Sequence, residues 1–451
     1  MSLALIVLAA GQGTRMNSDR PKVLHPLGGV PLLAHAVRAG SMLEPERIVV
    51  VTGNGAEAVD KAVTELDEDA VCVRQDEQLG TAHAVGQARE ALSGFRGDAL
   101  VLYGDTPFIS KDTLDRMAEA RLGGANVVVL GFEAADPGRY GRLIMDGDRL
   151  TRIVEAKDAS PAELEITLCN SGLLSADAAT LMTLLAEVGN DNASGEYYLT
   201  DVPEIAAARG LTATAVTCPE AETLGINTRA ELADAERLFQ NTRRAEMQEN
   251  GVTMVAPETV FLAHDTWIGR DVVIEPHVVF GPGVTVENNV TIRAFSQLEG
   301  CHLGARATVG PYARLRPGAE IGNDARIGNF VEVKAAEIGE GAKVNHLSYI
   351  GDAAIGARSN IGAGTITCNY DGVFKHRTDI GADVFVGSNT MLVAPVTLGD
   401  AAMTGSGSVI TKDVPAGDLA IARGTQTNKA GLGARLMARL RSLKEQQKKG
   451  H

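Results

Sequence analysis

The chain has 451 residues, 22% of them charged and 45% hydrophobic, an ordinary balance for folded protein and long enough for two or more domains. A formal net charge of −15 argues against nucleic acid as a partner, because phosphate-backbone binding needs clustered Lys and Arg. An anionic small substrate stays open, since a local pocket can be basic on an acidic protein. Five cysteines (Cys72, Cys169, Cys218, Cys301, Cys368) are scattered without metal-ligand spacing, so reduced thiols and a cytoplasmic location are expected. Met1–Ala10 is apolar, lacks a basic leading region and runs into a Gly-rich turn, so it reads as a first strand rather than a signal peptide. No apolar run reaches the length of a membrane span, and no membrane insertion is expected.

Residues 1–228 alternate strand-like runs (Ala4–Leu8, Arg47–Thr52, Ala70–Arg74, Ala99–Tyr103, Val127–Phe132) with helical stretches such as Leu32–Ala39 and Ala56–Leu66. That alternation predicts a doubly wound, Rossmann-like α/β sheet, with ligands beyond the C-terminal strand ends. The first strand ends in Ala9-Ala10-Gly11-Gln12-Gly13-Thr14-Arg15-Met16. Two glycines let backbone N–H groups approach a phosphate chain, and Arg15 adds charge. The dinucleotide fingerprint is not met, because a third glycine is missing. A tight structural turn is the plainer alternative, but Lys22 follows on the same loop and favours phosphate. Asp105 ends the Ala99–Tyr103 region at the ligand-binding sheet edge, where a carboxylate suits Mg²⁺ and a turn-capping Asp is the alternative.

Arg229–Glu249 reads as one long helix with an apolar stripe of Leu232, Ala235, Leu238 and Phe239, stopped by Gly251. It divides the chain into an expected nucleotidyltransferase domain (1–228), a linker helix (229–250), a β-helix (251–425) and a basic tail helix (426–451). From Leu262 to Ile410 an aliphatic residue returns every six positions. The column is Ile268, Ile274, Phe280, Val286, Ile292, Leu298, then Leu303, Val309, Leu315, Ile321, Ile327. It resumes at Ile338, Val344, Ile350, Ile355, Ile361 and at Ile380, Val386, Leu392, Leu398, and closes with Thr404 and Ile410. Neither a helix nor a plain strand has this period, whereas a parallel β-helix of three hexapeptides per coil does. Two positions before each column residue stands Ala, Ser, Thr, Val or Cys, small enough for a crowded corner. The Gly that usually follows is expected to supply positive φ at the turn. Function in such a scaffold is expected where the period breaks. One break lies between Ile327 and Ile338 and spans Gly328–Lys334. A larger one, between Ile361 and Ile380, holds Cys368-Asn369-Tyr370-Asp371-Gly372 and Lys375-His376-Arg377. The segment Lys429–Gly450 is basic, with Leu432, Leu436, Leu440 and Leu443 interleaved. A basic tail can suggest a membrane or nucleic acid, but the favoured reading is a helix docking on a subunit or framing an anionic cofactor site.

The Leu8–Met16 motif followed by Pro21-Lys22 resembles the signature of sugar-phosphate nucleotidylyltransferases. Gln75-x4-Gly80-Thr81-Ala82, Leu102–Pro107, Tyr140-Gly141-Arg142, Ile153-Val154-Glu155, Asn170-Ser171-Gly172 and Gly225-Ile226-Asn227 agree with it. With the hexapeptide array behind them, nearly the full length resembles a bacterial bifunctional family. Its members combine UDP-N-acetylglucosamine pyrophosphorylase with glucosamine-1-phosphate N-acetyltransferase, serving peptidoglycan and lipopolysaccharide precursors and so cell-wall biogenesis and cell shape. The resemblance implies a left-handed β-helix, against the usual right-handed crossover rule, and a homotrimer formed through it. It implies UTP and sugar contacts at Ala9, Ala10, Gly11, Gly13, Lys22, Gln75, Gly80, Thr81, Tyr103, Gly141, Glu155, Asn170 and Asn227, catalytic roles for Arg15 and Lys22, and Mg²⁺ on Asp105 and Asn227. For the acetyl half it implies Arg316, Lys334, Tyr349 and Asn360 at glucosamine 1-phosphate. Acetyl-CoA would meet Ala363, Asn369, Tyr370, Ser388, Ser406 and Arg423.

An amine acceptor must lose a proton before it attacks, and an imidazole is a suitable base. His346, between the two breaks, and His376, at a charged loop tip, are both placed for this, and the resemblance selects His346. Cys301 sits in an inner register and Cys368 is the one loop thiol, so direct attack on the thioester is expected over a covalent carrier. The family commonly carries two alanines where this chain has Gly405-Ser406, which alters the side-chain surroundings expected for acetyl-CoA. Two other readings compete: a nucleotidyltransferase whose β-helix only oligomerises or regulates, and a structural β-helix protein. The phosphate-loop residues oppose the second, and the length of the array opposes the first.

Overall fold

The structure, a computed structural model, describes residues 2–449. Gly450 and His451, at the end of the expected tail helix, and Met1 lie outside the described residues. Two compact units divide the chain. The first runs to Ala245 and includes Leu262–His264; the second comprises Glu246–Phe261 and everything from Asp265 onward.

The first unit is built on a nine-stranded sheet. Its spine runs, in spatial order, Ala213–Cys218, Val127–Glu133, Leu168–Asp177, Asp98–Tyr103, Leu3–Ala9, Arg47–Thr52, Val71–Arg74. The five strands anticipated from the apolar runs are all present. The sheet is mixed rather than wholly parallel, because Leu168–Asp177 runs antiparallel to both neighbours. A hairpin, Arg142–Asp146 with Arg149–Val154, hangs from it through Arg142 opposite Cys169. Leu168–Asp177 escaped the sequence reading because Asn170-Ser171-Gly172 breaks its apolar run, and the register shifts there between Asn170 and Leu174. The first strand buries both faces: Ala4, Ile6 and Leu8 join one core layer, Leu5, Val7 and Ala9 the other. Burial on both sides is why such strands read as continuous apolar runs rather than alternating ones. The helix Arg229–Glu249 sets Ala235 into a cluster with Leu27, Leu32 and Ile226, and Phe239 packs against it.

The second unit is a stack of short parallel strands. Ile268 lies opposite Val286, Val286 opposite Leu303, and Leu303 opposite Ile321, so three hexapeptides complete one coil. Every column residue named above is buried, and so is every small residue two positions before it. Two expectations need correction. The break at Gly328–Lys334 is no break: Val333 pairs with Leu315 below and Ile350 above, and both Val333 and Val331 are buried in register. Likewise Thr367 fills an inner position opposite Leu392, with Thr365 buried at the corner before it. A hydroxyl in an aliphatic column hid that coil, and Thr367 satisfies its hydroxyl on Gly351 O at 3.0 Å. The true insertion begins only after Thr367.

Most glycines following the column residues also have a different cause. Gly322 and Gly362 have no positive φ, and a Cβ there would stand 2.8 and 2.6 Å from backbone atoms of the next coil. Close approach of stacked coils, not turn conformation, excludes a side chain there. Gly310, after Val309, has the expected positive φ of 93°, but elsewhere positive φ falls two residues further on, where Asp271, Asn289 and Phe295 adopt it without glycine. At one such corner His277, Phe295, Tyr312 and Phe330 stack with centroids 4.9, 4.9 and 5.2 Å apart. Ile350 is fully buried at the middle of the stack. Ile350→Ala is expected to cost about 2–5 kcal/mol, measured as an earlier urea transition of the coils.

The tail forms a helix, Leu432–Lys449, whose Leu436, Met437, Leu440 and Leu443 are about half exposed. Among the described residues no helix is long and apolar enough to cross a membrane.

Candidate active sites

In the first unit a cleft of about 380 Å³ opens at the C-terminal ends of the central strands. It brings together Ala9, Ala10, Gly11, Lys22, Gln75, Gly80, Thr81, Tyr103, Asp105 and Asn227. Gln12, Gln78 and Glu196 also line it, and sequence reasoning missed them: polar loop residues carry no periodic signal. Gly13 lies just behind, with φ of 60°, and a Cβ there would meet Lys22 Cβ at 2.7 Å. Its absence of side chain lets the Lys22 stem cross the loop. The Lys22 ammonium forms a largely buried ion pair with Asp105 and donates to Asn227 Oδ1 at 3.0 Å. Arg15 Nη2 donates to the same oxygen at 3.0 Å. Asn227 Nδ2 donates to Gly225 O at 3.2 Å, which turns its oxygen toward the cations. The backbone N–H groups of Asn227 and Thr228 donate to Glu231 in the first turn of the following helix, holding that loop.

Beside the cleft, Asn170 N–H donates to Gly141 O at 2.8 Å, and Gly141 packs against Glu155. Burial raises the Glu155 carboxyl above its ordinary range, while the Thr200 hydroxyl donates to it at 3.2 Å. Gly172, at φ of 94°, leaves room for the Tyr103 ring, which a Cβ would approach to 2.7 Å. Burial pushes the Tyr103 phenol upward, so it remains a neutral donor.

In the second unit His346 ends the strand Lys343–His346, and its Nδ1 lies 2.9 Å from Asn329 Oδ1. On the same coil Tyr349 begins the strand Tyr349–Ile355. Asn369 Nδ2 reaches Tyr349 Oη at 3.5 Å and bonds Asp352. Lys375, from the larger break, stands beside Lys334, whose ammonium lowers the Lys375 pKa. Arg316 is held by Glu332 at 2.8 Å and feels the Tyr349 phenol, as Lys375 does. Arg316 and Lys375 therefore lie near Tyr349, with Lys334 beside Lys375, a set of cations suited to a sugar phosphate. Asn360 lies on the other sheet, between Lys343 and Phe385. Ala363, Ser388 and Ser406 recur at one corner of successive coils: Asn389 N–H donates to Ala363 O at 2.7 Å and Gly407 N–H to Ser388 O at 2.8 Å. Arg423 caps this row by donating to Ser406 O at 2.5 Å.

The insertion is ordered by its own bonds. Asp371 accepts from His376 at 2.7 Å and from the N–H groups of Phe374 and Val373, which together hold its carboxyl down at about 2. Tyr370 Oη donates to Gly372 O at 2.6 Å. His376 is thus engaged with Asp371 rather than free. Because the folded pKa is depressed, this ordering is present above the usual carboxylate range and lost as pH falls toward about 2. Amide exchange of Phe374 across that range is the measurement. Burial raises the Cys368 thiol, and pushes Cys301 up to about 12, so neither favours the thiolate.

Residues 5–164 match the MobA-like NTP transferase domain. Residues 265–300 and 300–335 each match the bacterial transferase hexapeptide (six repeats), and 377–412 the hexapeptide repeat of succinyl-transferase. The chain is similar over nearly its whole length to proteins named bifunctional protein GlmU. With that of Jannaschia sp. (strain CCS1) it shares 67% identity over 99% of this chain and 98% of the relative. With that of Ruegeria sp. (strain TM1040) it shares 66%, and all of both chains is covered. With that of Paracoccus denitrificans (strain Pd 1222) it shares 62%, over 100% of this chain and 99% of the relative. The chain belongs to the bifunctional GlmU family. As a GlmU protein it is an enzyme with two activities, a glucosamine-1-phosphate N-acetyltransferase and an N-acetylglucosamine-1-phosphate uridylyltransferase. The nucleotidyltransferase match covers the glycine loop, Lys22 and Asp105, and the hexapeptide matches cover stacked coils of the left-handed β-helix. The GlmU assignment also removes the reading in which the β-helix is only a scaffold.

Proposed function

We propose that the first-unit cleft transfers UMP from UTP to N-acetylglucosamine 1-phosphate, releasing pyrophosphate. The observation that carries this is the convergence of Lys22, Asp105 and Asn227 beside the glycine loop. Nucleophile and target are both anionic, so charge neutralisation and alignment are the main tasks. Arg15, Lys22 and the loop amides of Ala10, Gly11 and Gly13 take the triphosphate. Gln75, Gly80 and Thr81 hold the uracil. Gly141, Glu155 and Asn170 hold the sugar, with Tyr103 walling the pocket between them. Asp105 and Asn227 hold Mg²⁺. The donor set fits: two oxygens already converge on one cation, the Lys22 ammonium, and Mg²⁺ takes few protein oxygens and fills its shell with phosphate and water. Bound there, the ion would neutralise charge developing on the phosphates. No protein nucleophile is required.

In the second unit, Arg316, Lys334 and Tyr349, with Lys375 added by its position beside Lys334 and Asn360 on the strand that pairs with Lys343–His346, bind glucosamine 1-phosphate. His346 takes the proton from the substrate ammonium, and the freed amine attacks the thioester of acetyl-CoA. Ala363, Ser388, Ser406 and Arg423 line the acetyl-CoA site, with Asn369 and Tyr370 near the transferring acetyl group. The C–N bond forms, the tetrahedral oxyanion collapses and the thiol of CoA leaves. The product is the substrate of the first-unit cleft. We further read the enzyme as a cytoplasmic homotrimer assembled through the β-helix, supplying UDP-N-acetylglucosamine for cell-wall precursors.

The test is one assay: glucosamine 1-phosphate, acetyl-CoA, UTP and Mg²⁺ with the purified chain. Free CoA followed by UDP-N-acetylglucosamine is expected. Product only when N-acetylglucosamine 1-phosphate is supplied would remove the acetyl half of this reading.

A further inference from the structure

We propose that Asn329 is a positioning residue for acetyl transfer, holding the proton of neutral His346 on Nδ1 so that the Nε2 lone pair is free. The inference rests on the reading of His346 as the base. Asn329 and His346 are opposite rungs of the paired strands Arg326–Asn329 and Lys343–His346. Asn329 Oδ1 lies 2.9 Å from Nδ1. A neutral imidazole has one donor and one acceptor nitrogen, and an amide oxygen only accepts. Nδ1 must therefore donate, which leaves Nε2 as the acceptor for the substrate proton. The opposite form would set two lone pairs against each other.

Both backbones are held while the ring is exposed. Asn329 precedes Phe330, whose positive φ of 56° and stacking on Tyr312 at 5.2 Å seat the corner. The His346 carbonyl accepts from Gly364 N–H at 3.1 Å and from Ser348 Oγ at 2.8 Å. Backbone position is thus settled by the coil, and Asn329 acts on the tautomer of the ring. A polar side chain at the end of a hexapeptide strand, one rung below the base, has no plainer structural use here: it fills no inner register.

The test uses the full-length chain labelled with ¹⁵N-histidine, read by ¹⁵N–¹H correlation. In the unmodified protein His346 should carry its proton on Nδ1. In Asn329→Ala the Nε2–H form should appear, kcat for acetyl transfer should fall about tenfold, and KM for glucosamine 1-phosphate should hold. Asn329→Asp keeps an acceptor oxygen and should restore both the tautomer and kcat. Residual acetyl transfer with unchanged KM for glucosamine 1-phosphate, and a urea transition of the coils like that of the unmodified protein, report that the second unit of each variant is folded. Finding Nε2–H in the unmodified protein, or an unchanged tautomer and kcat in Asn329→Ala, overturns the proposal while leaving His346 as base. Full acetyltransferase activity in His346→Ala overturns the reading beneath it as well.

Discussion

Asp105→Ala is expected to lower uridylyl transfer by about a hundredfold to a thousandfold, the usual cost of removing one preorganised charge-stabilising group. The acetyltransferase activity of the same chain should be unchanged. Asp105 faces the Lys22 ammonium in a largely buried pair, so its removal has two consequences. The anionic ligand for Mg²⁺ is lost, and Lys22 keeps only Asn227 Oδ1. Asp105→Asn separates them, because it retains an oxygen at the site and removes the charge. It should weaken Mg²⁺ affinity, and so raise the Mg²⁺ concentration needed for activity, more than it disturbs the cleft. A rate near that of the unmodified enzyme in Asp105→Ala at ordinary Mg²⁺ would dismiss Asp105 as a metal ligand. Added Mg²⁺ that rescues Asp105→Asn but not Asp105→Ala would support it.

His346→Ala is expected to lower acetyl transfer by about a hundredfold to ten-thousandfold, the range for losing a general base. Uridylyl transfer from supplied N-acetylglucosamine 1-phosphate should continue. The substrate ammonium still loses its proton to water as pH rises, so the gap between variant and unmodified enzyme should narrow at alkaline pH. His376→Ala is the contrasting variant. His376 is bonded to Asp371 inside the insertion, so its loss should loosen that loop and act on substrate affinity through Lys375 rather than on the proton step. Equal kcat losses from both histidine variants, with equal pH dependence, would leave no reason to single out His346.

Much of this was legible in the residues. The run Leu3–Ala9 followed by Gly11 and Gly13 marks a buried strand and a phosphate loop, because burial on both faces and backbone approach to an anion each restrict residue types strongly. The hexapeptide column is legible for the same reason: each inner position tolerates few side chains. Where a second physical use was possible, the residues misled. Thr367 in the column looked like a break, since a hydroxyl is tolerated inside once Gly351 satisfies it. Val333 reads as part of a loop because Asn329, Glu332 and Lys334 around it are polar, yet it pairs in register. Glycines after the column residues suggest turns, as at Gly310, but at Gly322 and Gly362 the neighbouring coil is what excludes a side chain.

Local chemistry therefore accounts for the strand, the loop, the helix Arg229–Glu249 and the period of the coils, all of which depend on residues near one another in the chain. The sites are of another kind. Lys22 meets Asp105 and Asn227 across separations of 83 and 205 residues. Asn329 meets His346 across 17, one coil away, and Lys375 reaches Lys334 from the far end of an insertion. No spacing rule announces such pairs, because the distance that matters is set by strand order and coil stacking. The folding of the sheet and the rise of the coils bring those side chains within reach, and the chemistry begins there.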